Sequence, residues 1–464
     1  MRRPSRRVVC VGSLCVASAL MALLISARAA ICDEAQVARG RELFARVWQP
    51  QRPDAEHGDG LGPLFNARSC AECHKQGGPG GGGPNENNVQ IIGMPSNRTA
   101  NPFSDSPTGE TSRPASLEDS QRRRLFSNLE PGKTAIVLHR FADGEEYEVW
   151  RNMRVLMTNP QLQRREQVSA YARTTALTAI ADAGDVRIAG IRNPDGRQVE
   201  LAISINLEER NTPPLFGVGQ IESITINDIL KTAAAQPQTV RGRPALLPDG
   251  RIGKFGWKAQ TATLADFNEN ACAVELGLET PRFAQPKPPF VKRRPGAKSP
   301  MERSPRGLDM TADEVTALTL FTASLPAPRQ TVGSDVSEIA LGEAIFAKIG
   351  CAQCHVRDVG NTRGIYSDLL LHDLGASGTV YYGEQRLDLA GGLFMPARPG
   401  EFRTAPLWGV ADSAPYMHDG RAVTLIGAIK AHQLQGEPAA RAFSQLEYPD
   451  QQQLLTFLGS LRAP

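Results

Sequence analysis

The sequence predicts a mainly α-helical chain built from two related units, the first carrying a long, partly β insertion. Three observations carry this prediction. A short cysteine motif occurs twice, as Cys70-Ala71-Glu72-Cys73-His74 and Cys351-Ala352-Gln353-Cys354-His355. The helical segment before each motif also recurs, with Gly40 and Phe44 answering Gly342 and Phe346. Further segments repeat downstream in the same order, which marks a duplication of the chain. At 464 residues, 41% hydrophobic and 22% charged, the composition is that of a globular protein and excludes wholesale disorder. Aromatics are only 6% and no basic tract follows the first residues, which excludes nucleic-acid binding through stacked rings or a charged stripe.

The N-terminus reads as an export signal over residues 1–29. Arg2, Arg3, Arg6 and Arg7 precede an apolar run from Val8 to Ser26, and Ala27-Arg28-Ala29 is a small-x-small cleavage site. Cleavage removes five arginines and no acid, which turns the formal charge of +3 slightly negative. An uncleaved anchor is the competing reading, because the run is near spanning length. No later segment is apolar enough to cross a bilayer, so no membrane span is expected after cleavage. A bacterial, periplasmic location follows.

Of eight cysteines, Cys10 and Cys15 lie in the signal and four belong to the paired motifs. Cys-x-x-Cys-His is the attachment motif of c-type haem. Its two thiols reach the two vinyl groups of one porphyrin, and the adjacent histidine supplies a nitrogen to the iron. A shared zinc site or a thioredoxin-like pair explains the cysteines but not the histidine after each pair. Two covalently bound haems are therefore expected, with Cys70, Cys73, His74, Cys351, Cys354 and His355 holding them. Cys32 and Cys272 remain, and in an oxidising compartment they can pair.

The repeat sets the domains. Gly followed by Phe four residues later on an amphipathic helix resembles the first helix of cytochrome c, giving two cytochrome c-like haem domains at 30–328 and 336–464. Arg210 to Val218 matches Arg403 to Val410, and Leu318, Phe321 and Leu325 match Leu454, Phe457 and Leu461. The polar connection 329–337 is the boundary. The first domain is longer by an insertion at about 75–205. Gly77 to Pro84 predicts a loop near the first haem. Ala135 to Phe141, Asp143-Gly144 and Tyr147 to Trp150 read as one β-hairpin. Val186 to Ile188 and Val199 to Ile205, around Asn193-Pro194-Asp195-Gly196, read as a second.

The chemistry of each iron depends on its second axial position. His432 is the candidate for the second haem, because Leu425, Ile429 and His432 share a helical face. Met395 and Met417 compete with it. Arg421, in the turn His418-Asp419-Gly420-Arg421, is a natural partner for a haem propionate. For the first haem His57, His139, Met94, Met153 and Met157 give no comparable signal, which points to an open iron. Peroxide chemistry there needs an acid–base residue, and Asp266 and Glu222 are the candidates. For either one taken singly, simple surface charge is the favoured reading.

Four segments together resemble the bacterial di-haem cytochrome c peroxidase superfamily, and within it the di-haem oxidoreductase branch of thiol oxidoreductases and peroxidases. They are Gly60-Leu61-Gly62-Pro63-Leu64-Phe65-Asn66 running into the first motif, Tyr366 to Asp373, Arg403 to Trp408, and Tyr416 to Ala422. The resemblance implies peroxide cleavage at the first haem, electron entry at the second, a small redox protein as donor, H2O2 as a substrate, and a calcium ion between the domains near Thr404 and Pro406. The sequence departs from it twice. His432 stands where the peroxidases place a distal Met, and Ala265 or Asp266, with no Glu, falls near the position of their catalytic acid. The expected function is an exported di-haem c-type oxidoreductase with peroxidase-like chemistry at the N-terminal haem. A non-catalytic electron-transfer cytochrome and a haem-based redox sensor remain the alternatives.

Overall fold

The two halves of the chain begin and end on helices that pair in the same way. The computed structural model describes residues 34–50, 58–93, 135–142, 147–148, 150–152, 179–182, 185–192, 198–204, 206–287, 307–328, 330, 336–375, 397–398 and 400–464. Helix α1 (34–45) packs on α6 (Ala312–Ser324), and α7 (Val336–Lys348) packs on α10 (Tyr448–Gly459). A glycine makes each crossing close. A Cβ on Gly40 would stand 2.0 Å from the Ala317 carbonyl oxygen, and one on Gly342 would stand 2.1 Å from that of Gln453. One turn on, Phe44 meets Phe321 and Phe346 meets Phe457, each at a ring-centroid distance of 5.3 Å. All four rings are buried, and each contributes about 1.5–3 kcal/mol of transfer free energy. Helix α6 starts at a capping box, in which Thr311 Oγ1 accepts from Glu314 N and Glu314 accepts from Thr311 N.

Two further helices complete the first half, α4 (Ile226–Ala235) and α5 (Leu264–Leu276), with the short α3 (Val218–Ser223) packed against both α5 and α6. Their buried faces join Leu43, Phe44 and Phe321 in one core, which also takes in Ile365, Leu370 and Trp408 from the second half. A separate core around Phe346, Phe443, Leu454 and Phe457 belongs to the second half. The halves also join through backbone. Arg243 and Leu371 exchange N–H···O bonds at 3.1 and 2.8 Å, and Arg403 N donates to Trp257 O at 2.8 Å.

The architecture is mixed rather than mainly α, with five small antiparallel sheets among the described residues. Strand β2 (Val89–Gly93) is the centre of a sheet between β3 (Ala135–Leu138) and β8 (Asn206–Arg210). This corrects the first expected hairpin. β3 pairs with β2, while β4 (Phe141–Ala142) pairs with β1 (Leu64–Phe65). Residues 147–148 and 150–152 are helical. Tyr147 is fully buried, stacks on Trp150 one turn later at 5.7 Å, and donates its hydroxyl to His139 O. A stacked aromatic pair at i, i+3 is satisfied by a helical turn, whereas a strand would point its members to opposite faces. Elsewhere β6 (Asp185–Arg192) pairs antiparallel with β7 (Gln198–Ser204) across 193–197, the stretch where the sequence placed a second hairpin, and β5 (Ala179–Asp182) lies on the far side of β6. The signal at 1–29, Cys32, His57, Met94, Met153, Met157 and Met395 lie outside the described residues, as does most of the connection 329–337.

Candidate functional site

Both cysteine motifs adopt a single tight turn that presents the histidine behind two thiols. In the first, α2 (Cys70–Cys73) starts at Ser69, whose Oγ accepts from Glu72 N at 3.1 Å, and His74 N returns to Cys70 O at 3.0 Å. In the second, Gly350 at φ 97° feeds a 3-10 turn over Cys351–Gln353, and His355 N returns to Cys351 O at 3.0 Å. That φ favours glycine. Each imidazole is then anchored through Nδ1. His74 donates to Gly81 O at 3.1 Å, with the Pro213 carbonyl also bonded to the ring, and His355 donates to Tyr366 O at 2.9 Å. The loop 77–84 thus supplies the orienting carbonyl of the first motif. Burial lowers both histidines to about 4, so they stand neutral and able to bind a metal.

A mostly apolar cavity of about 300 Å3 opens beside the second motif, and Cys351, Cys354, His355, Met417 and His432 line it. His432 lies two residues past the end of α8 (Leu425–Lys430), so the helix that the sequence placed under it is shorter than expected. Its ring still faces His355, with centroids 6.4 Å apart. Metal–imidazole bonds run about 2.0–2.1 Å and the ring centre lies ~1.2 Å behind the ligating nitrogen, so two imidazoles sharing one ion stand ~6.4 Å apart. His432 Nδ1 donates to Ala428 O at 2.8 Å, as His355 Nδ1 does to Tyr366 O, which leaves both Nε2 atoms for an iron. The residues therefore fit a haem held between two histidines. Met417 lines the same cavity from a backbone at φ 71°.

The first motif has different surroundings. Among the described residues no second imidazole meets the His74 ring as His432 meets His355, and Phe44 packs on it at 6.2 Å. A carboxyl stands nearby instead. Glu275, in the last turn of α5, accepts from Asn66 Nδ2 at 2.7 Å through Oε2, while its Oε1 is buried with no partner among the described residues. Burial raises Glu275 to about 7, against the opposing pull of Asn66. Its charge reaches Cys73, whose thiol is pushed up to about 11 by burial first and by neighbouring carboxylates second. Asn66 is fixed in turn, accepting Arg140 N at 2.9 Å. His139 stands in the same corner, with Nε2 donating to Val274 O at 3.0 Å and Nδ1 unpartnered among the described residues.

The remaining expected residues do other work. Asp266 is ion-paired with Arg251 and Arg282; against burial, the Thr263 hydroxyl and these guanidiniums hold it below the ordinary carboxylate value. Glu222 accepts Leu264 N at 2.9 Å, at the start of α5. Both acids are spent on the ends and flanks of helices. The residue that sequence reasoning missed is Glu275. Its signal is a carboxylate at i+3 from buried Cys272 and i+7 from buried Asn268, on the inner face of α5. Arg421 pairs with Asp419 within its own turn, Nη1 to Oδ2 at 3.0 Å. His418 stacks on Phe402 at 3.8 Å and is lowered to about 2 by burial and by Arg210, Arg421 and Lys258. Cys272 lies against Cys70, and that hydrogen bond together with burial raises its thiol well above the ordinary value. The site implied for calcium does not fit one. The Thr404 carbonyl already accepts Ser367 Oγ at 2.7 Å and Arg403 Nη1 at 3.3 Å, which places a buried guanidinium where the ion would need oxygen ligands.

Comparison with known proteins places the chain. A family model described as di-haem oxidoreductase, putative peroxidase, matches residues 198–461. Among solved structures, Kuenenia stuttgartiensis hydrazine synthase pressurized with 20 bar xenon is similar over 55% of this chain and 73% of its own, at 19% identity and TM-score 0.33. A MauG-like protein associated with microbial copper homeostasis is similar over 32% of this chain and 53% of its own, at 19% identity and TM-score 0.23. No curated protein matches the sequence. The family match spans more than half of the residues and includes the second motif, the His355–His432 pair and Glu275: the chain belongs to the di-haem oxidoreductase family.

Proposed function

We propose that the chain is an exported di-haem c-type oxidoreductase with peroxidase-like chemistry at the haem of the first motif and electron entry at the haem of the second. The observation that carries this reading is an asymmetry: two opposed imidazoles at His355, and near Cys73 an ionisable carboxyl with one oxygen unpartnered among the described residues. Bound haem would supply one-electron chemistry and a place for peroxide. Cys70 and Cys73, and Cys351 and Cys354, would form the thioethers, and His74 and His355 would bind the irons. His432 would be a second protein ligand at the haem of the second motif, which would suit an electron store rather than a reacting centre.

Near the first motif, breaking the peroxide O–O bond requires a proton to leave one oxygen and arrive at the other. Glu275 is the group placed to carry it. With a pKa of about 7 both its protonation states are populated at neutral pH, the condition under which one carboxyl can take a proton and return it. Asn66 holds Oε2, so Oε1 is the atom that exchanges protons. A small redox protein is the proposed electron donor.

The test is spectroscopic. Purified protein should hold two haems that resist acid-acetone extraction. The reduced form should bind carbon monoxide at one iron, and stoichiometric peroxide should alter the spectrum. Fully low-spin spectra in both oxidation states, with no carbon monoxide binding, would instead make the protein an electron-transfer cytochrome.

A further inference from the structure

One buried pair touches the second motif twice, through Asp368 N on Cys354 O at 3.1 Å and through a histidine ring at the sulfur of Cys354. Asp368 and His372 are 0% and 3% exposed, and His372 Nε2 stands 2.7 Å from Asp368 Oδ2. The other ring nitrogen, Nδ1, stands 3.5 Å from Cys354 Sγ. Asp368 accepts three hydrogen bonds: Leu370 N at 2.9 Å on Oδ1, and Gln236 Nε2 at 2.6 Å and His372 on Oδ2. The contact to His372 has the short distance of a charge-assisted bond. Gly242 makes room for the ring, because a Cβ there would stand 2.5 Å from His372 Nε2. His372 also lines the cavity that His355 and His432 share.

We propose that Asp368 and His372 form a tuning pair for the second haem, with His372 donating from Nε2 to Asp368 and from Nδ1 to the Cys354 sulfur. The chemistry of the sulfur decides the direction of the second bond. A free thiol can give its proton to Nδ1. A thioether has no proton and is only a weak acceptor. Once Cys354 is bonded to a haem vinyl carbon, both ring nitrogens face acceptors and both must carry hydrogen. The imidazole is then an imidazolium, balanced by Asp368. Burial opposes that charge and the short bond to Asp368 favours it; with Cys354 as a free thiol these groups together raise His372 to about 10, and in the thioether state the Asp368 bond is what remains to hold the proton. A fixed positive charge at the edge of the porphyrin favours the ferrous haem, which carries one positive charge fewer. Ligation by two histidines lowers the potential relative to a His–Met pair. His372 therefore works against its own haem's ligands and pulls the potential back up.

The inference rests on covalent attachment at Cys354, which intact-mass and peptide analysis test separately. A chain without haem on Cys354 removes that premise. With the premise met, redox titration of the haem-loaded His372→Gln protein should give a lower midpoint potential for the second haem and an unchanged one for the first. His372→Leu with Asp368→Leu, which removes both charges, should give a smaller drop in the same direction. An unchanged potential in a variant that keeps both haems and its low-spin spectrum overturns the proposal. If neither variant folds, 15N NMR of the reduced, carbon monoxide-bound parent protein, in which both irons are diamagnetic, decides. Protons on both His372 nitrogens at neutral pH support the tuning pair, and a singly protonated ring overturns it.

Discussion

Around Cys351–His355 the protein sets a second imidazole 6.4 Å from the first, while around Cys70–His74 it sets a carboxyl with one oxygen unpartnered among the described residues. The frames behind these sites are alike. Each has a glycine-mediated helix crossing, a Phe–Phe contact at 5.3 Å and a motif histidine anchored through Nδ1. What differs comes from segments that follow each motif, α5 in one half and the end of α8 in the other. The frames that match hold the two motifs, and the elements that differ set which side chains face them.

The largest expected effect tests that division directly. Glu275→Gln keeps the shape and the bond to Asn66 but cannot exchange a proton. Peroxide turnover should fall by about 10²–10⁴-fold, the range for losing a general acid–base group. The spectrum and potential of the second haem should not move. A variant with full turnover would show that the carboxyl is structural. The complementary substitution is His432→Met, which should raise the second haem's potential while leaving peroxide reactivity at the first iron in place. Redox titration with optical detection reads both haems in one experiment.

The shared frame yields the next prediction. Gly40→Ala and Gly342→Ala each drive a methyl to about 2 Å from a carbonyl oxygen of the facing helix. Overpacking of this kind costs about 1–3 kcal/mol. Thermal melts should show losses of similar size for the two variants. A large loss in one alone would mean that the crossings are not equivalent.

Glu275 also predicts a pH dependence of stability. Its carboxyl titrates at about 7 in the folded chain against an ordinary value of 4.5. Folding therefore binds a proton between those values, and stability falls as pH rises through that window. At about 1.4 kcal/mol per pKa unit the full effect is on the order of 3–4 kcal/mol. Glu275→Gln removes it, so the variant should gain on the parent as pH goes from 4.5 to 7. Denaturant melts at both ends of the range measure the difference. Parallel curves would mean that Glu275 is ionised without penalty.

The duplication was legible because its markers are local: the cysteine motifs, Gly40 with Phe44, and Gly342 with Phe346. His432 was legible from the apolar face it shares with Leu425 and Ile429, although its helix ends at Lys430. Strand β2 was not, because Val89–Gly93 finds both of its partners far along the chain, at 135–138 and 206–210. Glu275 was hidden for the same reason. Its neighbourhood is made by Asn66 and Cys73, some two hundred residues earlier, and nothing in its local sequence states that they meet. Asp266 looked better placed along the chain, but Arg251 and Arg282 claim it.

The smallest expected effect concerns Arg421. On sequence alone it faces a haem propionate; in the fold it closes its own turn on Asp419, with Nη1 3.0 Å from Oδ2 and its side chain 37% exposed. An exposed pair between residues two apart contributes about 0–1 kcal/mol, because solvent already screens both charges. Arg421→Ala should therefore change stability by no more than ~0.5 kcal/mol and leave the second haem's spectrum and potential in place. His418, buried against Phe402 at the same turn, makes the opposite case. His418→Ala empties a stacked site beside the haem cavity and should cost several times as much. If Arg421→Ala instead shifts the second haem's potential, the guanidinium leaves Asp419 for a propionate once haem is attached. The His-Asp-Gly turn would then belong to the haem site rather than to the frame that the two halves share.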